Sequence, residues 1–162
     1  MGATSAWTRA EHEAGLALFI QPGYRKRFRA LMAMNDRHRH AKLYDSLNHF
    51  EDTRLDTRFA RRVAERNLPS GRLIEILEAK GAPATCYLVS ENRKLDGRTT
   101  ALRETLRQVV DEPGYTAGVL FSCIPGRLGF YHYDEGWGQE AYVLERPGCS
   151  LTEPHHNDRR LP

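Results

Sequence analysis

The hydrophobic period of the chain changes once, near Thr85, and that change constrains the fold more than any other feature. Before it, apolar residues recur at helical spacing: Ala14 and Leu18, then Tyr24, Phe28 and Leu31, then Leu43, Leu47 and Phe50. After it, short apolar runs bounded by Pro, Gly, Asn and Asp read as strands. Thr8 followed by Glu11 predicts a capping box at the first helix, because the threonine oxygen accepts from a first-turn amide while the glutamate reaches back. The Pro22-Gly23 pair interrupts the helical pattern. The stripes on either side of the polar segment 35–40 fit one bent helix or two. Asp56 is placed to cap a short helix carrying Phe59 and Val63. Ser70 is placed to cap another, with Leu73, Ile74 and Leu77, which Gly81 and Pro83 end.

In the second half, residues 85–89 predict a strand and Thr99 or Thr100 caps a helix with Leu102, Leu106, Val109 and Val110 on one face. Residues 117–124 and 127–133 predict a hairpin, since Pro125-Gly126 supplies the fixed and the positive φ of a type II turn. Residues 141–145 predict a last strand. The expected fold is therefore α+β, with a helical part over 8–80 packed on a mixed sheet of about four strands over 85–145, in β-α-β-β-β order. The first β-α-β unit is right-handed if its strands are parallel. The expected core includes Phe28, Leu31, Leu47, Phe50, Phe59, Leu73 and Leu77 from the helical half. From the sheet half it includes Leu88, Leu102, Leu106, Val119, Phe121 and Leu128. One domain over 1–145 followed by a flexible tail over 146–162, rich in Pro, His and Arg, completes the expected organisation.

Composition narrows the class. With 40% hydrophobic and 28% charged residues in 162, the chain is globular in character and neither a polyelectrolyte nor a fibrous repeat. No apolar run approaches the roughly 18 residues of a membrane span, and no basic region followed by an apolar segment marks a secretory signal. Three cysteines, Cys86, Cys123 and Cys149, form no pairing or CxxC motif, which fits a reducing compartment. A cytoplasmic protein of bacterial type is the expectation, without membrane association.

The net charge of +3 hides an asymmetry. Residues 1–80 carry 15 basic against 10 acidic side chains, and residues 81–162 carry 9 against 11. The excess concentrates in 21–66, mostly as arginine, whose planar fork suits phosphates and carboxylates. Arg25, Lys26, Arg29, Arg37, Arg39, Arg58, Arg61 and Arg62 are the candidate contacts for an acidic protein or a nucleic acid, with Tyr24 or Tyr44 available for stacking. A charged helical surface is also what solvation alone produces. The expected function is non-enzymatic binding or regulation through this basic helical surface.

The alternative is a small enzyme or anionic-ligand-binding domain at loop 90–98 and hairpin 122–133. There Glu91 or Asp96 would act as base, Asn92, Arg98 and Arg127 would hold an anion, and Tyr131 or His132 would complete the pocket. That reading requires those side chains to converge on one concavity. The loop is equally read as a turn made by Asn, Asp and Gly. Cys123 with Arg127 and His132 holds the parts of an activated thiol, but strand burial disfavours the thiolate. No GxGxxG, GxxxxGK[ST] or GxSxG pattern occurs, so no cofactor is expected. Asp36 with His40 and Asp45 with His49 have metal-pair spacing yet read equally as local helix contacts, and His155-His156 lie in the tail. No metal site is expected.

Overall fold

A computed structural model describes residues 7–48, 50, 54–112, 114–134, 136 and 138–147. The helical half holds α1 (Arg9–Ala17), a 3-10 turn (Pro22–Tyr24), α2 (Arg25–Met32) and α3 (Asp36–Leu47). The capping box forms as expected: Glu11 N donates to the Thr8 hydroxyl and Thr8 N donates to the Glu11 carboxylate at 2.7 Å. Asn35 resolves the ambiguity over the next two stripes. Its side chain accepts from His38 N at 3.0 Å, starting α3 as a separate helix after α2.

The expected helix after Asp56 does not form. The Asp56 carboxylate accepts from Arg58 N two residues on, which makes a turn, and the chain then extends into β1 (Ala60–Arg62) to pair with residues 142–144 of the last strand. A 3-10 turn (Glu65–Asn67) leads to α4 (Ser70–Ala79). Its capping residue is Pro69, and Ser70 sits inside the helix with its hydroxyl donating to Asp111 at 2.5 Å. Gly81, at φ +95°, follows the C-terminus as expected.

The remaining elements are β2 (Thr85–Ser90), β3 (Thr99–Ala101), α5 (Leu102–Asp111), β4 (Gly118–Ile124), β5 (Leu128–Asp134) and β6 (Gln139–Glu145). Thr99 and Thr100 were expected to cap α5; they instead pair with β2, and α5 begins after Ala101 without a side-chain cap. The β4–β5 hairpin forms around Gly126 at φ +70°.

The sheet has six strands in the order β1-β6-β5-β4-β2-β3, and every neighbouring pair is antiparallel. This corrects the expected mixed sheet of about four strands while keeping the α+β class. The extra strands are three residues each, too short to show an alternation. The β2–β3 reversal also means that the helix crosses from β3 and that β2 and β4 run antiparallel, so the condition for a right-handed β-α-β unit, parallel strands, is not met.

Helices cover both faces. On one, α4 and α5 pack Leu73, Leu77, Leu102 and Leu106 against Leu88, Val119, Phe121, Leu128 and Phe130. On the other, α1, α2 and α3 pack Leu16, Phe28, Leu43 and Leu47 against Tyr87, Val89, Leu120 and Tyr131. Burial on both sides explains why β4 reads as a continuous apolar run rather than an alternating one. Every expected core residue is buried except Phe59, which is half-buried beside β1. Among the described residues no helix is long and apolar enough to cross a membrane. Of the expected tail over 146–162, residues 148–162 lie outside the described residues.

Candidate anion-binding face

The sheet face covered by α1, α2 and α3 is organised by one buried cation. Arg39 is 0% exposed. One of its terminal nitrogens donates to Glu13 at 2.5 Å and the other to Asp96 at 2.8 Å, so α3 is tied to α1 and to loop 91–98 at once. Asp96 also accepts from Ser90 N at 3.1 Å, and His40 Nε2 lies 3.2 Å from its other oxygen. Glu13 takes a second hydrogen bond, from Arg9 at 2.9 Å. Burial works against the charge on Arg39, but the hydrogen bonds and charges of Asp96 and Glu13 outweigh it and raise the guanidinium's pKa.

Around this centre the packing is aromatic and polar. His12 stacks on Tyr87 with ring centroids 5.2 Å apart, meets Trp7 edge-on, and shares a hydrogen bond with Ser122 through Nδ1 at 2.8 Å. Burial lowers the His12 pKa, against a smaller opposing effect of Glu11. Burial first, and the Glu13 charge second, push the Tyr87 hydroxyl up to about 12. These links hold α1, α3 and the loop as one layer and so fix what that layer presents outward.

Arg39 was expected to face a partner; it faces the interior and is spent on Glu13 and Asp96. The sequence contained a signal for this. Extending the stripe of Leu43 and Leu47 back by four residues lands on position 39, which therefore belongs to the inward face of α3. Arg25 is half-buried and donates to Ile20 O at 3.0 Å, with Asp56 3.9 Å away. Arg58 grips Asp56 at 2.7 Å; that hydrogen bond, against burial, depresses the Asp56 pKa. Arg62 reaches Glu140 at 3.4 Å from β1, where Arg61 is exposed.

Exposed cations without an ion pair among the described residues occur on α2 and α3 and also at Arg61, Arg66, Arg93, Lys94, Arg98, Arg107 and Arg127; α2 differs in carrying three of them on one eight-residue helix. Lys26, Arg27 and Arg29 on α2, and Arg37 and Lys42 on α3, are exposed. Among the described residues none of the five forms an ion pair. No acidic residue lies within α2. Tyr44, on α3, is 61% exposed and is the one exposed large hydrophobic side chain among the described residues.

The residues of the alternative pocket are separated. The Glu91 carboxylate is occupied by the Thr116 hydroxyl at 2.8 Å and Ala117 N at 2.6 Å, with the Ser90 hydroxyl at 2.7 Å, so it braces the start of β4. Asn92 donates to Tyr115 O at 3.1 Å and accepts from Lys94 N. Asp96 is held by Arg39. Tyr131 is buried on the α3 side with its hydroxyl on Leu47 O, whereas His132 points to the opposite side and meets Gln139 at 3.1 Å. Burial lowers the His132 pKa. Arg98 and Arg127 are exposed, and Arg127 sits at the β4–β5 turn, the far end of β4 from Glu91. The convergence that an enzyme would need at these residues is not present.

Among the described residues no group of three His, Cys, Asp or Glu side chains is placed to hold a metal ion. His40 turns to Asp96 rather than to Asp36, and His49, His155 and His156 lie outside the described residues. No protein family, curated protein or solved structure was found to match the chain.

Proposed function

We propose that this chain is a non-enzymatic binding module that engages an anionic partner through the outer face of α2 and α3. The observation that carries the reading is the uncompensated charge of α2. Lys26, Arg27 and Arg29 stand in water with no carboxylate on their own helix and no ion pair among the described residues. On the opposite side of the molecule Arg72, Lys80 and Arg103 each hold a glutamate, and Arg107 is exposed without an ion pair among the described residues. Clustered cations of one sign attract an anionic surface and speed its encounter, an effect that salt screens. Arg39 contributes by fixing α3 from below, a positioning role that leaves the outer cations free.

Anisotropy titrations of labelled single-stranded RNA, duplex DNA and polyglutamate at two salt concentrations test the reading. Affinity for at least one should fall steeply with salt; for a nucleic acid that engages the five cations the log–log slope is about −3.5 to −4.5. No binding to any of the three at low salt would refute it.

A further inference from the structure

A groove of about 500 Å³ runs between α1 and the β4–β5 turn, next to the cationic face. Its floor is apolar: Ala14, Gly15 and Leu18 on one side, Pro125 and Gly126 on the other. Backbone contact sets its shape. A Cβ on Gly15 would lie 2.3 Å from Gly126 N, so helix and turn meet where no side chain fits. A groove walled in this way is preformed, which lowers the entropy lost on binding. A second hollow of about 240 Å³ shares Ala14 and Arg29 with the first and continues along α2 past Met32 and Ala33.

Two cations border the floor without a counter-charge among the described residues. Arg29 belongs to the α2 face and touches both hollows. Arg146 lays its guanidinium against Phe59 at 5.0 Å, and its buried Nε has no hydrogen-bond partner among the described residues. The acid on the rim, Glu11, is committed to the capping box and to the positive end of α1.

An apolar trough flanked by uncompensated guanidinium groups matches a chain that offers an apolar side chain between carboxylates. It matches a nucleic acid poorly, because none of the lining residues is aromatic and bases need a stacking platform. We infer that the partner is an acidic protein segment that seats an apolar side chain in the groove between α1 and the β4–β5 turn, with flanking carboxylates on Arg29 and Arg146. This rests on the anion-binding reading above and narrows it to one class of partner.

The test is selection of a phage-displayed random dodecapeptide library on the protein, with affinities of the enriched peptides measured on wild type, Ala14→Lys, Ala14→Gln and Arg29→Glu, alongside retention on heparin. Ala14 is exposed on α1, and both Lys and Gln are good helix formers, so the Ala14 variants should fold; circular dichroism checks this. Enriched peptides should carry acidic residues around a Leu, Phe, Met or Trp. Ala14→Gln and Ala14→Lys should each weaken them about tenfold or more. Ala14→Lys separates groove from charge: it adds a cation, so binding by charge alone would hold or tighten, and heparin retention should not fall. Arg29→Glu should weaken both peptides and heparin retention. No enrichment, or peptides that bind Ala14→Lys as well as wild type, would overturn the inference, and the reading of the face would stand if heparin is still retained. Loss of both heparin retention and peptide binding in the wild type would remove the two together.

Discussion

Replacing Arg39 with methionine tests the claim that one buried guanidinium holds the helical layer together. Methionine keeps much of the length and apolar volume but removes the charge and its donors. The side chain of Asp96 is 2% exposed and that of Glu13 is 11% exposed. Glu13 keeps Arg9 as a partner, whereas among the described residues Asp96 keeps Ser90 N and the neighbouring His40. The variant therefore strands a carboxylate in the interior. Breaking a buried ion pair from one side is unfavourable by about 3–5 kcal/mol, against a total stability of about 5–15 kcal/mol. Urea unfolding followed by far-ultraviolet circular dichroism measures the loss, read as a lower midpoint at unchanged slope. Adding Asp96→Asn removes the stranded charge, so the double variant should be about 1–3 kcal/mol more stable than the sum of the single changes implies. A loss under about 1 kcal/mol, the size found for exposed pairs, or strict additivity in the double variant, would refute the reasoning.

Acid should destabilise the fold through His12 and His132. Burial holds both below the ordinary value of 6.5, so between each lowered value and 6.5 the unfolded chain binds a proton that the folded one does not. The contribution of these two groups is thus fully present above about pH 6.5 and is lost as pH falls through their folded values. Unfolding midpoints across pH should show that decline, and it should be shallower in a His132→Gln variant; an equal decline in the variant would count against it. Gly15→Ala should lower stability by about 1–3 kcal/mol, because its methyl group enters the backbone of the β4–β5 turn, and a neutral result in the same urea assay would contradict that close approach. Burial pushes the Cys86 thiol up to about 12 and Cys123 well above its ordinary range. In a Cys149→Ser background, iodoacetamide near neutral pH should leave both unmodified in the native protein and label both in denaturant, as mass spectrometry would read; fast native labelling would contradict their burial.

Local signals were legible where local chemistry decides the outcome. Thr8 and Glu11 announce the start of α1 because the capping box closes within one turn. Pro125-Gly126 announces the β4–β5 hairpin because the turn itself demands those dihedrals. Strands β1 and β3 were not legible, because Ala60, Arg61 and Arg62 carry no alternation and Thr99 and Thr100 have the side chains of a helix cap. Both segments become strands only through the neighbours they meet, β6 and β2. The antiparallel relation of β2 and β4 follows from the same unseen reversal. The cationic run on α2 was visible as composition, but which cations are free was not, since pairing depends on tertiary contacts. Arg39 shows the difficulty most sharply: a charged residue on an apolar stripe reads as exposed until two carboxylates distant in sequence are placed beside it. Glu91 is the converse case, a free carboxylate in the sequence that Thr116 and Ala117 saturate in the fold.

The central claim is that the face of α2 and α3, rather than net charge as such, binds the anionic partner. Two double charge reversals of equal size separate these: Lys26→Glu with Arg29→Glu on α2, and Arg72→Glu with Arg107→Glu on the helices of the opposite side. The measurement is the salt concentration at which each variant and the wild type leave heparin. The α2 reversal should lower that concentration sharply while the other leaves it close to wild type. An equal shift from both reversals, or none from either, would contradict the claim.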